Sequence, residues 1–479
     1  MAEHLEDERT QEGAGMATSA SETAPENEHH DRENRLKPEF LRAVREALRE
    51  EDFDRVYDLV EPLHPADIAD LIELTGEEER LPLVGAIRDL MDVEVIAELN
   101  DWVREALVED LPAEIVAEIA EQLDTDDAVA MIEDLDQQGR EAVLAELDPE
   151  DRAAIEAALA YPDESAGRLM SRDFVAVPES MTVGDLIDFL RDSGDMPTEF
   201  WEVFIVDPMH RPIGTCALSW ILRTPRSVPL SDVMKRDQTL IPVLMDQEEV
   251  ALRFQKYALI SAAVVDEAGR LVGQITVDDV VHIIQEEAGE DVLLLSGAGD
   301  GDINEPILLA VRNRLTWLVV NLGTAMIASS VVGLFQGAIA KLALLAVLMP
   351  MISGMGGNAG TQTLAVTVRA IATNQLTNSN TMRMILRELR IALTNGTALG
   401  LLVGIGTTVI FGMPLLGLVM GLAMLINNLI AGLAGILVPV TLDRFNIDPA
   451  VSSAVFVTMA TDVMGFFSFL GLAVLMGLA

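Results

Sequence analysis

Asp462 stands alone as a carboxylate inside the apolar run VFVTMATDVMGFFSFLGLAVLMGLA. A charged side chain at the centre of a bilayer costs about 2.5–3.5 kcal/mol on insertion scales, so it is kept where it faces a bundle interior or water. Its chemistry is that of an ion or proton site; the competing role is a structural carboxylate held by a basic partner or a backbone donor. Thr458 and Ala454 lie four and eight residues before it and Gly465 three after, a small and polar stripe at helical spacing. A second constellation is PMISGMGGNAGTQTLAVTVRAIA. Asn358 and Gln362, four apart, share one helical face, and Arg369 continues it. Gly354, Gly356, Gly357 and Gly360 each cost a helix about 1 kcal/mol relative to alanine, so a break is expected among them. Irregular backbone at that depth must face protein or a watery cavity, where freed carbonyls are hard oxygen ligands. Close packing through small residues accounts for the glycines but poorly for Asn358 and Gln362. Asn427 and Asn428 read as interhelical glue rather than pore lining, and Phe466, Phe467 and Phe469 as packing residues.

The elements that carry these residues are apolar segments at about 314–336, 340–372, 386–412, 414–441 and 450–478, each long enough for the roughly 20 residues of a span. Arg312, Arg314, Arg369, Arg383, Arg387, Arg390 and Arg444 fall on one side of a five-span arrangement and Lys341 alone on the other. By the positive-inside rule the N-terminus is then cytoplasmic and the C-terminus outside, in the cell (inner) membrane.

Charge divides the chain in two. From Pro306 onward the acids are Glu388, Asp443, Asp448 and Asp462, against eight Lys and Arg. Of the totals of 78 acids and 32 bases, 74 and 24 therefore lie before Pro306, a net of −50. A surface this acidic excludes nucleic acid and favours cations, although adaptation to a salty cytosol accounts for the same charge. The lone Cys216 rules out an intramolecular disulfide or a cysteine metal cluster. The first 35 residues lack an apolar core segment and read as a disordered tail without a secretory leader.

Residues 36–160 show short amphipathic helices in recurring units such as LHPADIADLIEL and LPAEIVAEIAEQL, which predicts an all-α superhelical domain. An internal duplication follows. LMSRDFVAVPESMTVGDLIDFLRD with WEVFIVDPMHRPIGTCALSWIL matches VMKRDQTLIPVLMDQEEVALRFQKY with SAAVVDEAGRLVGQITVDDVVHII in order and spacing. It resembles a tandem pair of CBS motifs, an α/β unit over 161–228 and 229–290. The resemblance implies an adenine-nucleotide end, G-x-x-T-x-x-D, which the second copy has as Gly273, Thr276 and Asp279. The first copy departs from it, with Ala217 and Trp220 after Gly214. One ATP site is thus expected at most, and a pair used only for ion sensing and dimerisation is the other reading. Residues 291–313 are a connecting helix, and 314–479 an α-helical transmembrane domain of five spans.

YPDESAGRLM between the helical and CBS regions, GMGGNAGTQ in the second span and DPA…TDVMG in the last carry a fuller resemblance, to the MgtE magnesium channels. It implies a homodimer whose pore is lined by the second and fifth spans of both subunits. Asp462 matches the family's pore aspartate, Asn358, Gly357 and Gln362 fall in the second-span pore motif, and Thr458 and Ala454 fall on the stripe of the last span. Mg²⁺ gives up water reluctantly and is held with waters in place, so two carboxylates and a ring of acceptors suit a hydrated ion. The resemblance also implies closure by cytosolic Mg²⁺, with Asp246, Glu248, Asp279, Glu287, Glu290 and Asp291 as regulatory ligands. His282 stands where the family usually has an aspartate. The expected function is therefore a Mg²⁺-gated Mg²⁺ channel, with Mg²⁺ both transported and regulatory. A proton-coupled or broader transporter (Mn²⁺, Co²⁺) and a membrane sensor without conduction are the alternatives. An enzyme is not expected, since no GxxxxGK[ST] and no hydrolase spacing of histidines occurs.

Overall fold

The computed structural model describes residues 29–478 except 32–34, 110, 194–195, 198–199, 297–302, 378, 446 and 452, and describes the backbone alone at Asp291. The chain falls into two compact units, Met1–Glu156 and Ala157–Ala479.

In the first unit, short helices follow one another from Pro38–Arg49 to Pro149–Ala158. Their starts are set by side chains that accept an otherwise orphaned N–H: Asp52 from Arg55, Asp92 from Val95, Asn100 from Val103 and Asp136 from Gly139. One apolar side of each helix is buried, with Val44, Val56, Leu71, Ile72 and Leu83 in a common core. Arg104 is buried too and bridges Asp101 and Asp134. Burial pushes the Asp134 carboxyl up to about 6 even though Arg104 pulls it down.

The second unit opens with two copies of one small sheet. In the first, β1 (Ala176–Pro178) runs parallel to β2 (Glu202–Val206), which pairs antiparallel with β3 (Pro212–Ala217). In the second, β4 (Leu240–Pro242), β5 (Ser261–Val265) and β6 (Leu271–Thr276) repeat the pattern, with the register break at Val264/Val265 answering that at Ile205/Val206. The hairpin turns match as well. Asp207 accepts from the N–H of Met209 and Arg211, and Asp266 from those of Ala268 and Arg270. The left-handed position falls on His210 in one and Gly269 in the other. Each copy's leading Met packs on the other copy's strand glycine. A Cβ on Gly273 would lie 2.7 Å from Met170 Sδ, and one on Gly214 2.8 Å from Met234 Sδ. Gly273 is therefore a close-packing position. Helix α1 (Gln247–Tyr257) starts at the Asp246 cap, and α2 (Val277–Ser296) continues without interruption across residue 290.

Helices α3 (Ile307–Leu334), α4 (Gln336–Lys341), α5 (Leu344–Ala372), α6 (Thr381–Phe411), α7 (Pro414–Arg444) and α8 (Ser453–Leu475) complete the chain. Among the described residues, four of them, α3, α6, α7 and α8, are long and apolar enough to cross a membrane. The glycines and polar residues of α5 hold it below that apolarity, although it is 29 residues long and packs on α7 and α8.

The expected break among the glycines is not there. The chain leaves helical geometry at Leu342, before α5, and then stays helical past Pro350 and through Gly360. The reason is contact across the bundle. A Cβ on Gly356 would sit 2.1 Å from Asn427 Nδ2 on α7, and one on Gly360 2.5 Å from Val457 Cγ1 on α8. Nothing lies within 4 Å at Gly354 or Gly357. Gly356→Ala is thus expected to lower membrane-domain stability by about 1–3 kcal/mol, with Gly354→Ala neutral or better; thermal unfolding of the purified full-length variants checks the contrast.

Candidate functional site

The site of greatest chemical interest is the seam between α5 and α8. Asp462, half-buried on α8, accepts a hydrogen bond from the Ser353 hydroxyl on α5. No basic side chain pairs with Asp462 among the described residues. Immediately before it in the chain, Thr461 is fully buried and its hydroxyl donates to the Thr458 carbonyl at 2.9 Å, while the Thr361 hydroxyl donates to the Gly357 carbonyl. Asn358, Gln362 and Thr458 are exposed on the single chain, with Ala454 and Gly357 intermediate. The structure thus brings Ser353 to Asp462, and leaves Asn358 and Gln362 facing away from this chain's own core.

Asn427 acts as glue. It is fully buried, its Nδ2 donates to the Ile352 carbonyl at 2.8 Å, and it packs between Gly356 and Gly465, so it ties α7 to α5 and α8. Asn428 donates to Met424 in its own helix. Phe469 is fully buried and Phe467 meets the ring of Phe335 edge-on, as packing residues do.

A second constellation lies where the sheet unit meets the membrane helices. Glu287 accepts from Gln247 Nε2 at 2.7 Å, and Gln247 donates its N–H to the Glu164 carbonyl. Partial burial raises the carboxyl of Glu290 to about 7, and repulsion from Glu164, Glu287, Asp448 and Glu286 adds to it. Glu287 is raised by partial burial against its bond from Gln247, with Asp246 and Glu164 adding repulsion. The cluster therefore joins α2 to Glu164 and to Asp448, in the turn before α8. Glu164 is held at φ 57°, a left-handed position for a non-glycine residue. Just beyond, Leu294 and Leu295 of α2 pack with Leu364 and Val368 of α5 and with Ala450, Ala454 and Val457 at the start of α8. Hard carboxylate oxygens crowded to the point of mutual repulsion fit a hard divalent cation.

Of the other regulatory candidates, Asp246 caps α1 and accepts from the Glu248 N–H at 3.0 Å. Asp279 belongs elsewhere: its carboxylate accepts from the hydroxyl and N–H of Thr276 at the start of α2. Its neighbours are Asp278 and His282, with burial raising its carboxyl. The Asp291 side chain lies outside the described residues. In the first unit, carboxylate oxygens of Glu121, Asp148 and Asp151 lie within 4.8 Å of one another.

Gly273, Thr276 and Asp279 do not line the large cleft of the sheet unit. That cleft, about 1040 Å³, is lined by Trp201, Thr215 and Ala217 of the first copy and by Lys235, Arg253, Tyr257 and Ser261 of the second. Thr373 and Asn374, at the end of α5, also line it.

Ser353, Thr461 and Glu164 are missing from the sequence-based candidates. Glu164 sat in the quoted YPDESAGRLM motif, the one signal that could have singled it out.

Comparison with known proteins accords with this architecture. Residues 349–472 match the model of MgtE, described as a divalent cation transporter, residues 63–164 the MgtE intracellular N domain and residues 230–286 a CBS domain. The magnesium transporter MgtE of Enterococcus faecalis is 33% identical over 64% of this chain and 67% of its own length. That of Thermus thermophilus is 32% identical over 65% of this chain and 70% of its own. Among solved structures, the ATP complex of the cytosolic domain of the Mg²⁺ channel MgtE is similar at 30% identity and TM-score 0.47, covering 51% of this chain and 99% of that one. With three matched modules in one order and relatives of this identity, the chain belongs to the MgtE family.

Proposed function

We propose that two copies of this chain form a Mg²⁺ channel of the cell membrane, closed by cytosolic Mg²⁺. The observation that carries the reading is Asp462, held by Ser353 at the α5–α8 seam, in a chain whose relatives are named magnesium transporters. In this reading α5 is also a span, the second in chain order, which brings their number to five. Its 29 residues reach about 43 Å at 1.5 Å each, more than the ~30 Å hydrocarbon core. Its polar face turns to a second copy instead of to lipid, which accounts for the exposure of Asn358, Gln362 and Thr458 in the single chain. The arginine-rich ends then lie in the cytosol and the C-terminus outside.

Two Asp462 carboxylates supply −2 to an ion that keeps its waters, and amide and carbonyl oxygens accept from those waters. Size and charge of the hydrated ion then set selectivity. On the cytosolic side, Glu164, Asp246, Glu287, Glu290 and Asp448 form the sensor. A bound cation draws them together; without it their repulsion displaces α2, and Leu294 and Leu295 carry that movement to the ends of α5 and α8. Cation binding to one of two arrangements is a population shift. The acidic N-terminal unit adds to cation sensing. ATP enters this reading at Gly273, Thr276 and Asp279 by displacing the Thr276–Asp279 pair; titration calorimetry on the full-length protein that gives no heat removes it.

Patch-clamp of the full-length protein in liposomes tests the whole. Inward Mg²⁺ current is expected at micromolar Mg²⁺ on the domain side and closure at millimolar. Electroneutral uptake driven by a proton gradient would replace the channel by an exchanger, and absence of any flux would leave a sensor only.

A further inference from the structure

We propose that the outer groove between α6 and α7 holds an anionic phospholipid, its acyl chain in the groove and its phosphate on the basic foot of α6. The idea concerns a surface remote from the pore seam and rests only on α6 and α7 crossing a bilayer. The groove, about 380 Å³, is lined by Thr397, Leu401, Ile405 and Val409 on α6 and by Leu418 and Leu422 on α7. Its cause is the seam behind it. A Cβ on Gly400 would lie 2.6 Å from the Gly421 carbonyl oxygen, and one on Gly404 2.8 Å from that of Gly417. Backbones this close leave the larger flanking side chains splayed apart, with an apolar trough between them. The hydroxyls of Thr397 and Thr408 donate to Leu393 and Gly404 of their own helix, so they present no polar hydrogen to the trough. From Thr397 to Val409 the rise is about 18 Å, slightly more than one leaflet of a ~30 Å core.

The occupant is chosen by charge. Seven residues before Thr397, on the same helical face, stands Arg390, and seven before that Arg383, in steps of about 10 Å. Both are exposed, and among the described residues neither is in an ion pair. Arg387, between them, is bound to the buried Glu388 at 2.6 Å. A lipid phosphate meets both guanidiniums, in the bidentate geometry arginine favours, while its chain fills the trough.

The test is native mass spectrometry of delipidated, full-length protein titrated with phosphatidylglycerol or phosphatidylcholine of matched chains. Wild type is expected to retain the anionic lipid preferentially. Arg383→Gln and Arg390→Gln should each lower that preference about fivefold, the scale of one basic residue at an anionic surface; Arg390→Lys should keep most of it. Leu401→Trp, which fills the trough from an exposed position, should reduce retention of both lipids. Equal retention of the two lipids by wild type, or a preference untouched in the double arginine variant, overturns the proposal. So does a change of oligomeric state in Leu401→Trp with lipid retention unaltered, which assigns the trough to a second copy. Competition by glycerol phosphate as effective as by the whole lipid reduces the feature to an anion site and overturns the acyl-chain assignment.

Discussion

Asp462→Asn is expected to bring Mg²⁺ flux in proteoliposomes to background while the protein still folds and assembles. The substitution keeps volume and an acceptor for the Ser353 hydroxyl, so the α5–α8 seam has little reason to loosen. What is lost is charge. Interactions of a polar group with an ionised partner contribute about 1.5–3 kcal/mol each, and a two-fold pore loses two of them at once. At about 1.4 kcal/mol per tenfold, the fall is at least ~100-fold. Ser353→Ala separates positioning from charge. It removes a donor and no ligand charge, so conduction is expected to persist at a reduced level with altered selectivity. Mg²⁺ flux unchanged in Asp462→Asn, measured with a fluorescent indicator at matched protein density, sinks the pore assignment.

The two parts of that seam were not equally legible in the sequence. Asp462 announces itself because a lone carboxylate in an apolar run is costly wherever it sits. Ser353 does not, since a serine in an apolar helix ordinarily bonds its own backbone, and only the packing of α5 on α8 brings it to Asp462. The glycine run shows the reverse failure. Helix propensity is a local quantity, and it placed a break where cross-bundle contact instead requires a thin, continuous helix. Gly356 and Gly360 are there for Asn427 and Val457. The asparagine that reads as glue from its own segment is the residue that makes the glycine necessary.

The soluble part divides the same way. The duplicated sheets were readable down to their turns, because Asp, a left-handed residue and alternating apolar positions recur at fixed spacing in both copies. The sensor was not. Against 74 acids before Pro306, no composition argument separates Glu164 from its neighbours, and Glu290 meets Asp448 only through the fold. The Thr276–Asp279 pair illustrates how one motif serves two ends. Its spacing suits a ribose, and it equally suits the cap of α2, where the structure places it.

Inhibition by cytosolic Mg²⁺ should strengthen as pH rises through 7, and Glu290→Gln should abolish that dependence. The sign follows from the raised carboxyl of Glu290. Its proton is favoured in the assembled cluster, so below the ordinary carboxylate range it contributes stability to the cluster that is lost as pH climbs through about 7. Above that value the cluster carries one more negative charge and repels itself, unless a cation replaces the proton. Mg²⁺ and the proton therefore compete for one group. With a pKa near 7, the deprotonated fraction grows about tenfold from pH 6 to pH 8, and the Mg²⁺ concentration for half-closure falls by the same factor. In Glu290→Gln the charge is absent at every pH, so half-closure needs more Mg²⁺ and no longer moves with pH across this range. The measurement is macroscopic current against Mg²⁺ on the domain side at pH 6, 7 and 8, for wild type and variant. Asp462→Asn leaves no current to gate, so loss of pH dependence with full conduction belongs to the sensor alone. Parallel pH shifts in both proteins would place the titrating group elsewhere.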